Sequence, residues 1–220
     1  MSRDYWYWYG GKLRDGCGGE GGSFESWIVP GHRSGRLQST GQVASDWQIW
    51  LPLMAARTKT LEEVSVNILA LPESASVADV RCAIYESRGD RCAYPGALLR
   101  DLDDASRSSP GVAGFGSGLP LVLPGGRIYW VASWWRYATP VPLITTGTTA
   151  ENGAYPLLAY DGPGDLLPRV GWAANVTYTG PGVTDWPDPA PGDLKSVTIG
   201  GQITAPPTTI GLPAVFLLFS

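Results

Sequence analysis

The sequence predicts an all-β protein: a jelly-roll-like antiparallel β-sandwich over residues 46–220, with an extended N-terminal arm over residues 1–45. Three observations carry that expectation. Glycine (29) and proline (19) together exceed a fifth of the 220 residues. Both break helices, one through backbone entropy and the other through its missing N–H. Ten Trp and ten Tyr accompany frequent Val, Ile and Thr, side chains that suit a pleated, half-buried surface. Several segments also alternate apolar and polar residues with the period of two expected of a sheet with one face buried.

The arm comes first. Tyr5, Trp6, Tyr7, Trp8 and Tyr9 form an unbroken aromatic run, followed by a glycine-rich stretch through Gly22 that cannot build a core of its own. Trp27-Ile28-Val29-Pro30 makes a second apolar point, and residues 31–45 are polar and linker-like. Large aromatic groups on a segment unable to fold alone read as an anchor that orders against a partner, with Tyr5 to Tyr9 and Trp27 as the anchoring residues. The alternative is that the arm adds strands to its own sandwich or wraps neighbouring copies.

From Asp46 the pattern becomes regular. Trp47, Ile49 and Leu51 alternate, as do Val64, Val66 and Ile68, then Val80, Cys82 and Ile84. Ser87-Arg88-Gly89-Asp90 reads as a turn; its Arg-Gly-Asp tripeptide is explained by ordinary turn chemistry. A short strand is expected at residues 97–99, and the polar residues 101–118 read as a loop. Pro124-Gly125-Gly126 between apolar segments at 119–123 and 128–137 signals a hairpin. In the second segment Ile128, Trp130, Ala132 and Trp134 face one way, and Tyr129, Val131, Ser133, Trp135 and Tyr137 the other. Both faces are aromatic, more apolar surface than one core requires, which predicts a homotrimer. Further strands are expected at 142–146, 157–160, 170–178, 196–203 and 213–219, for eight to ten in all. Residues 181–192, with four prolines and Trp186, read as a long irregular loop.

Composition limits the chemistry. Charged residues are 16% of the chain, the net charge is −4, and no Lys/Arg cluster tracks a phosphate backbone, so nucleic acid is not an expected partner. No apolar run reaches membrane-spanning length and no signal-peptide core is evident, so the protein is expected to be made in a cytoplasm without membrane insertion. Cys17, Cys82 and Cys92 lack zinc spacing; they read as free thiols, with a Cys82–Cys92 bridge across a hairpin as the alternative. The single histidine, His32, lies in the linker and offers no triad. Asp101, Asp103 and Asp104 lack the order of a calcium loop, and the acidic pairs Glu62/Glu63 and Asp161/Asp165 read as solubilising. No catalytic residue, metal or cofactor is expected. The sharper signal is aromatic: Trp135, Tyr137 and loop-borne Trp186 are candidate platforms on which sugar rings stack, against the reading that they fill a core or a subunit interface. Trp130, Trp134 and Trp172 read more readily as core.

Four elements occur in a fixed order. They are Glu63-Val64-Ser65-Val66-Asn67-Ile68, Arg81-Cys82-Ala83-Ile84-Tyr85, Tyr94-Pro95-Gly96-Ala97-Leu98-Leu99, and Leu123-Pro124-Gly125-Gly126-Arg127-Ile128-Tyr129-Trp130. With them, residues 46–137 resemble the β-sandwich domains found at the ends of tailed-bacteriophage fibre, spike and minor tail proteins. The C-terminal part follows that pattern only in style, and the arm lies outside it. The resemblance implies a virion component, commonly trimeric and often positioned to touch host cell-surface glycans. Its partners would be other phage structural proteins of the capsid, tail or fibre base. No long fibre shaft precedes the domain, which favours a short spike or head fibre docked by its own arm. A decoration or cementing subunit is the second reading, and a polysaccharide-degrading enzyme the third.

Overall fold

The computed structural model describes residues 27–28, 37–41, 45–55, 57–70, 78–88, 91–137, 143–147, 169–177, 186, 189, 192–198, 202–204, 207–209 and 212–220. These residues form fifteen strands and no helix: β1 (Trp27–Ile28), β2 (Leu37–Gly41), β3 (Trp47–Ala55), β4 (Lys59–Ala70), β5 (Ala78–Arg88), β6 (Arg91–Arg107), β7 (Gly111–Phe115), β8 (Leu121–Leu123), β9 (Arg127–Tyr137), β10 (Leu143–Gly147), β11 (Arg169–Asn175), β12 (Lys195–Thr198), β13 (Gln202–Thr204), β14 (Pro207–Thr209) and β15 (Val215–Phe219). They make two antiparallel sheets. One has eight strands in the order β14-β13-β12-β11-β3-β9-β5-β6. The other has seven, with β4 as its spine: β7 and β8 pair along one side of β4, and β15 and β10 along the other.

Alternation places one face of each sheet in a shared core. Ile49, Leu51, Val80, Ile84, Val131 and Trp135 from the eight-stranded sheet meet Leu61, Val64, Val66, Phe115, Leu123 and Leu217 from the seven-stranded one. Burying these side chains is the main term holding the sheets together, at about 1.5–3 kcal/mol for each large apolar group.

Three expectations change here. The turn at Pro124-Gly125-Gly126 forms, but it does not close a hairpin: β8 belongs to the seven-stranded sheet and β9 to the eight-stranded one, so the turn carries the chain across the sandwich. Glycine is required there. Gly126 has φ +75° and donates its N–H to the Ala55 carbonyl at 2.6 Å. A Cβ on Gly125 would lie 2.7 Å from the Arg57 backbone.

Second, residues 101–107 are not a loop but the second half of the 17-residue β6. An acidic strand is tolerated because β6 is a sheet edge with one face toward water, while Leu102 turns fully inward. The strand carries a bulge where Asp103 takes φ +69°, and the Asp101 carboxylate accepts the Asp103 N–H at 3.0 Å. Residues 111–115 are likewise a strand, β7.

Third, the sandwich reaches back before residue 46. Trp27 pairs with Leu218 and Ile28 with Leu217, and β2 pairs with β10. Residues 27–28 and 37–41 of the arm therefore lie in the seven-stranded sheet, and Trp27, expected as an anchor, sits in an edge strand of the domain. Tyr5, Trp6, Tyr7, Trp8 and Tyr9 lie outside the described residues, as does the strand expected at 157–160.

Cys82 is, as expected, a free buried thiol. Register sets Arg81 opposite Asp104 and Ala83 opposite Asp101, whereas Cys92 lies at the far end of the β5–β6 hairpin near Arg88. The offset is about five residues, roughly 17 Å of strand, well beyond disulfide reach.

Candidate functional site

Seven of the described aromatic residues converge on the outer face of the eight-stranded sheet: Trp50, Tyr85, Tyr94, Trp130, Trp134, Trp172 and Trp186. Strand pairing sets them in rows. Ala174, Gln48, Trp134, Arg81 and Asp104 lie side by side, and the next row runs Trp172, Trp50, Ala132, Ala83 and Asp101. A third joins Pro52, Trp130, Tyr85 and Leu98. The two alanines form a shallow seat between large neighbours. Trp186 fills it: its ring centroid stands 5.7 Å from that of Trp134 and 6.1 Å from that of Tyr85, which meets it edge-on.

Arg81 closes the seat from below. Its guanidinium carbon is 5.8 Å from the Trp134 ring and 5.3 Å from the Trp186 ring, and its Nη2 donates to Asp101 Oδ2 at 2.9 Å. Only 2% of the side chain is exposed. A cation so buried is tolerable because its charge is met by Asp101 and by two indole faces. Asp101 thus holds Arg81 and the β6 bulge together. Among the described residues no group of three His, Cys, Asp or Glu side chains is arranged to hold a metal.

A second cover comes from the β5–β6 hairpin. Tyr94 stacks on Trp172 with ring centroids 4.5 Å apart and planes 19° apart. In the sheet these residues belong to β6 and β11, four strand spacings or about 19 Å apart. The hairpin end must therefore fold over the face. Three of the four register shifts between β5 and β6 fall between Ile84 and Arg88, where bulges supply that bend. Gly96 permits the close approach, since a Cβ there would lie 2.8 Å from the Arg88 backbone nitrogen. Arg88 ties the covers together by donating from Nη2 to the Pro189 carbonyl at 3.1 Å. Arg88 therefore has a packing role, and the Arg-Gly-Asp tripeptide is not needed to account for it.

These contacts redefine the expected sugar platforms. Trp135 is 1% exposed within the inter-sheet core, and Trp186 is 6% exposed in its seat on the outer face. Neither offers a free ring face. Tyr137 ends β9 opposite Ala78; its side chain lies outside the described ones. The alternation expected for β9 holds, with Tyr129, Val131 and Trp135 inward and Trp130, Ala132 and Trp134 outward. Both aromatic faces of β9 are covered within one chain.

An open feature among the described residues is a groove of about 400 Å³ lined by Glu86, Ser87, Arg88, Gly126, Arg127, Ile128 and Tyr129. It arises where the β5–β9 ladder ends at Glu86 opposite Tyr129, after which β5 leans toward β6 (Ser87 opposite Pro95, Arg88 opposite Arg91). Ser87 braces the floor. Its hydroxyl donates to the Ile128 carbonyl at 2.8 Å and accepts the Trp130 indole N–H at 3.0 Å. The Tyr129 hydroxyl donates to the Pro124 carbonyl at 2.9 Å. Burial holds the Tyr129 phenol above its ordinary range, with Arg127 pulling it down and Glu86 pushing it up. Glu86 and Arg127 are exposed and form no ion pair with each other or with another described residue.

Sequence reasoning passed over Arg81, Glu86 and Arg127. Arg81 and Arg127 stand inside segments it had already singled out, but nothing local marks where a ladder ends. No protein-family model, no curated protein and no solved structure matches this chain.

Proposed function

We propose that this protein is a non-enzymatic structural subunit of a tailed-phage virion, a short spike or head or tail fibre component. In this reading its first residues attach it to the particle and its sandwich is presented to host-surface glycan. The observation that carries the reading is the braced groove with uncommitted charges beside the two packed layers of the sandwich. In this reading such a body presents a fixed surface to its ligand. The order of the four sequence elements supports the phage assignment. Association into homotrimers belongs to the same reading, as the means by which a weak glycan contact gains avidity.

The test is an array of bacterial-surface polysaccharides probed with the full chain, alongside electron microscopy of particles with and without it. Saturable binding with no new reducing ends is expected. Release of reducing ends would replace this reading with the enzymatic one.

A cementing role is the second reading, favoured by the apolar side chains left exposed. Val112 is 58% and Val122 57% exposed in the seven-stranded sheet, and Leu98 and Leu99 are exposed at the β6 edge. Patches of this kind become buried between subunits. A chain that binds no polysaccharide, yet whose loss destabilises the particle, would favour it.

A further inference from the structure

We infer that the groove between the ends of β5 and β9 takes a carboxylate-bearing sugar, a uronic-acid unit of an acidic polysaccharide, with Arg127 as the residue that reads its charge. This deepens the glycan reading above and rests on it.

The groove carries two guanidinium groups, Arg88 and Arg127, against one carboxylate, Glu86, in a chain of net charge −4. It is thus a locally cationic place on an acidic protein, where a neutral sugar would gain nothing from the charge. Arg88 is held in position by its bond to Pro189, and its Nε is buried without a partner. Arg127 is exposed, unpaired and planar, and a guanidinium matches the two oxygens of a carboxylate. Glu86 narrows the ligand further. A polyanion such as a phosphate chain would be repelled by it, whereas a uronic acid brings one charge for Arg127 and hydroxyl donors that a carboxylate accepts. Half-buried Ile128 supplies an apolar floor, and the volume of about 400 Å³ lies within the range of small-ligand sites. The floor is preorganised, since Ser87 and Tyr129 are already bonded to the backbone.

The test is calorimetric titration of the full chain with glucuronate, galacturonate and mannuronate oligosaccharides, each paired with its carboxyl-reduced, neutral form. At least one acidic form is expected to bind about tenfold or more tightly than its reduced partner, the scale of one charge-assisted hydrogen bond pair. Arg127→Gln should remove that preference and Arg127→Lys should restore part of it. Because Arg127 is exposed, both variants should keep the wild-type circular dichroism and melting temperature. Equal affinity for acidic and reduced forms, or an Arg127→Gln variant that keeps the preference, overturns the inference. Binding confined to neutral glycans overturns it while leaving the glycan reading standing, and binding to no glycan at all removes both. A poly-glutamate peptide bound as tightly as the best uronate would assign the groove to acidic protein segments and equally overturn the sugar assignment.

Discussion

Trp186→Ala separates a packing role from a binding role for the residue that the sequence offered as a sugar platform. The indole is 6% exposed and is enclosed by Trp134, Tyr85 and the Arg81 guanidinium. A buried Trp removes on the order of 200 Å² from water, which at about 25 cal/mol per Å² gives roughly 5 kcal/mol as an upper bound. Collapse of the surrounding chain recovers part of this, so a loss of about 3–5 kcal/mol is expected, the range measured for large-to-small changes in cores. Urea unfolding followed by circular dichroism reads it. With a slope of about 2 kcal/mol per M, the midpoint should fall by roughly 1.5–2.5 M. Trp186→Phe, which keeps an aromatic ring in the seat, should lose less than half as much. A shift below about 0.5 M at unchanged slope would refute the reasoning, because a freely presented platform would leave stability untouched and change only ligand binding.

Three further outcomes follow from the same contacts. Ala83→Leu puts a branched side chain into the seat of Trp186 and should cost about 1–3 kcal/mol by overpacking, read in the same urea experiment, whereas exposed Val122→Thr should cost less than about 0.5 kcal/mol. Gly171→Ala should lower the melting temperature by several degrees, since the new Cβ would lie 2.5 Å from the Trp50 carbonyl oxygen and force β11 away from β3. Burial, reinforced by the Asp101 charge, pushes the Cys82 thiol far above its ordinary range, so the native protein should resist iodoacetamide at pH 8 and react only once unfolded. The sign of the linked pH effect is fixed by that shift. The unfolded thiol ionises above about pH 8.5 while the folded one stays protonated, so stability is retained below that pH and falls above it by up to about 1.4 kcal/mol per pH unit. Cys82→Ala, followed by urea unfolding from pH 7 to 10, should show a shallower fall.

The candidate groove was only partly legible. Arg88 appeared in the sequence as a turn residue and Arg127 as part of a Pro-Gly element, and Arg127 does follow the turn at Gly125-Gly126. Their meeting depends on where the β5–β9 pairing stops, at Glu86 opposite Tyr129, and pairing ends leave no local mark. The acidic run of β6 misled for a related reason. Asp101, Asp103 and Asp104 look like loop residues by composition, yet an edge strand needs only one buried side chain per inward turn, here Leu102, and Asp101 is occupied by Arg81 and the bulge.

By itself the sequence determined the all-β class, the strands centred on Ile49, Val66, Cys82 and Val131, and the assignment of β9 side chains to two opposite faces. Those properties are local: glycine and proline exclude helices, and a period of two sorts side chains between faces whatever the strand later meets. Which sheet each strand joins, whether the second aromatic face is open or covered, and what covers it were decided only by the tertiary structure. Trp186 shows why. It stands in a proline-rich segment without periodicity, and its burial depends on Ala83 and Ala132, more than fifty residues away in the chain, being small enough to leave it a seat.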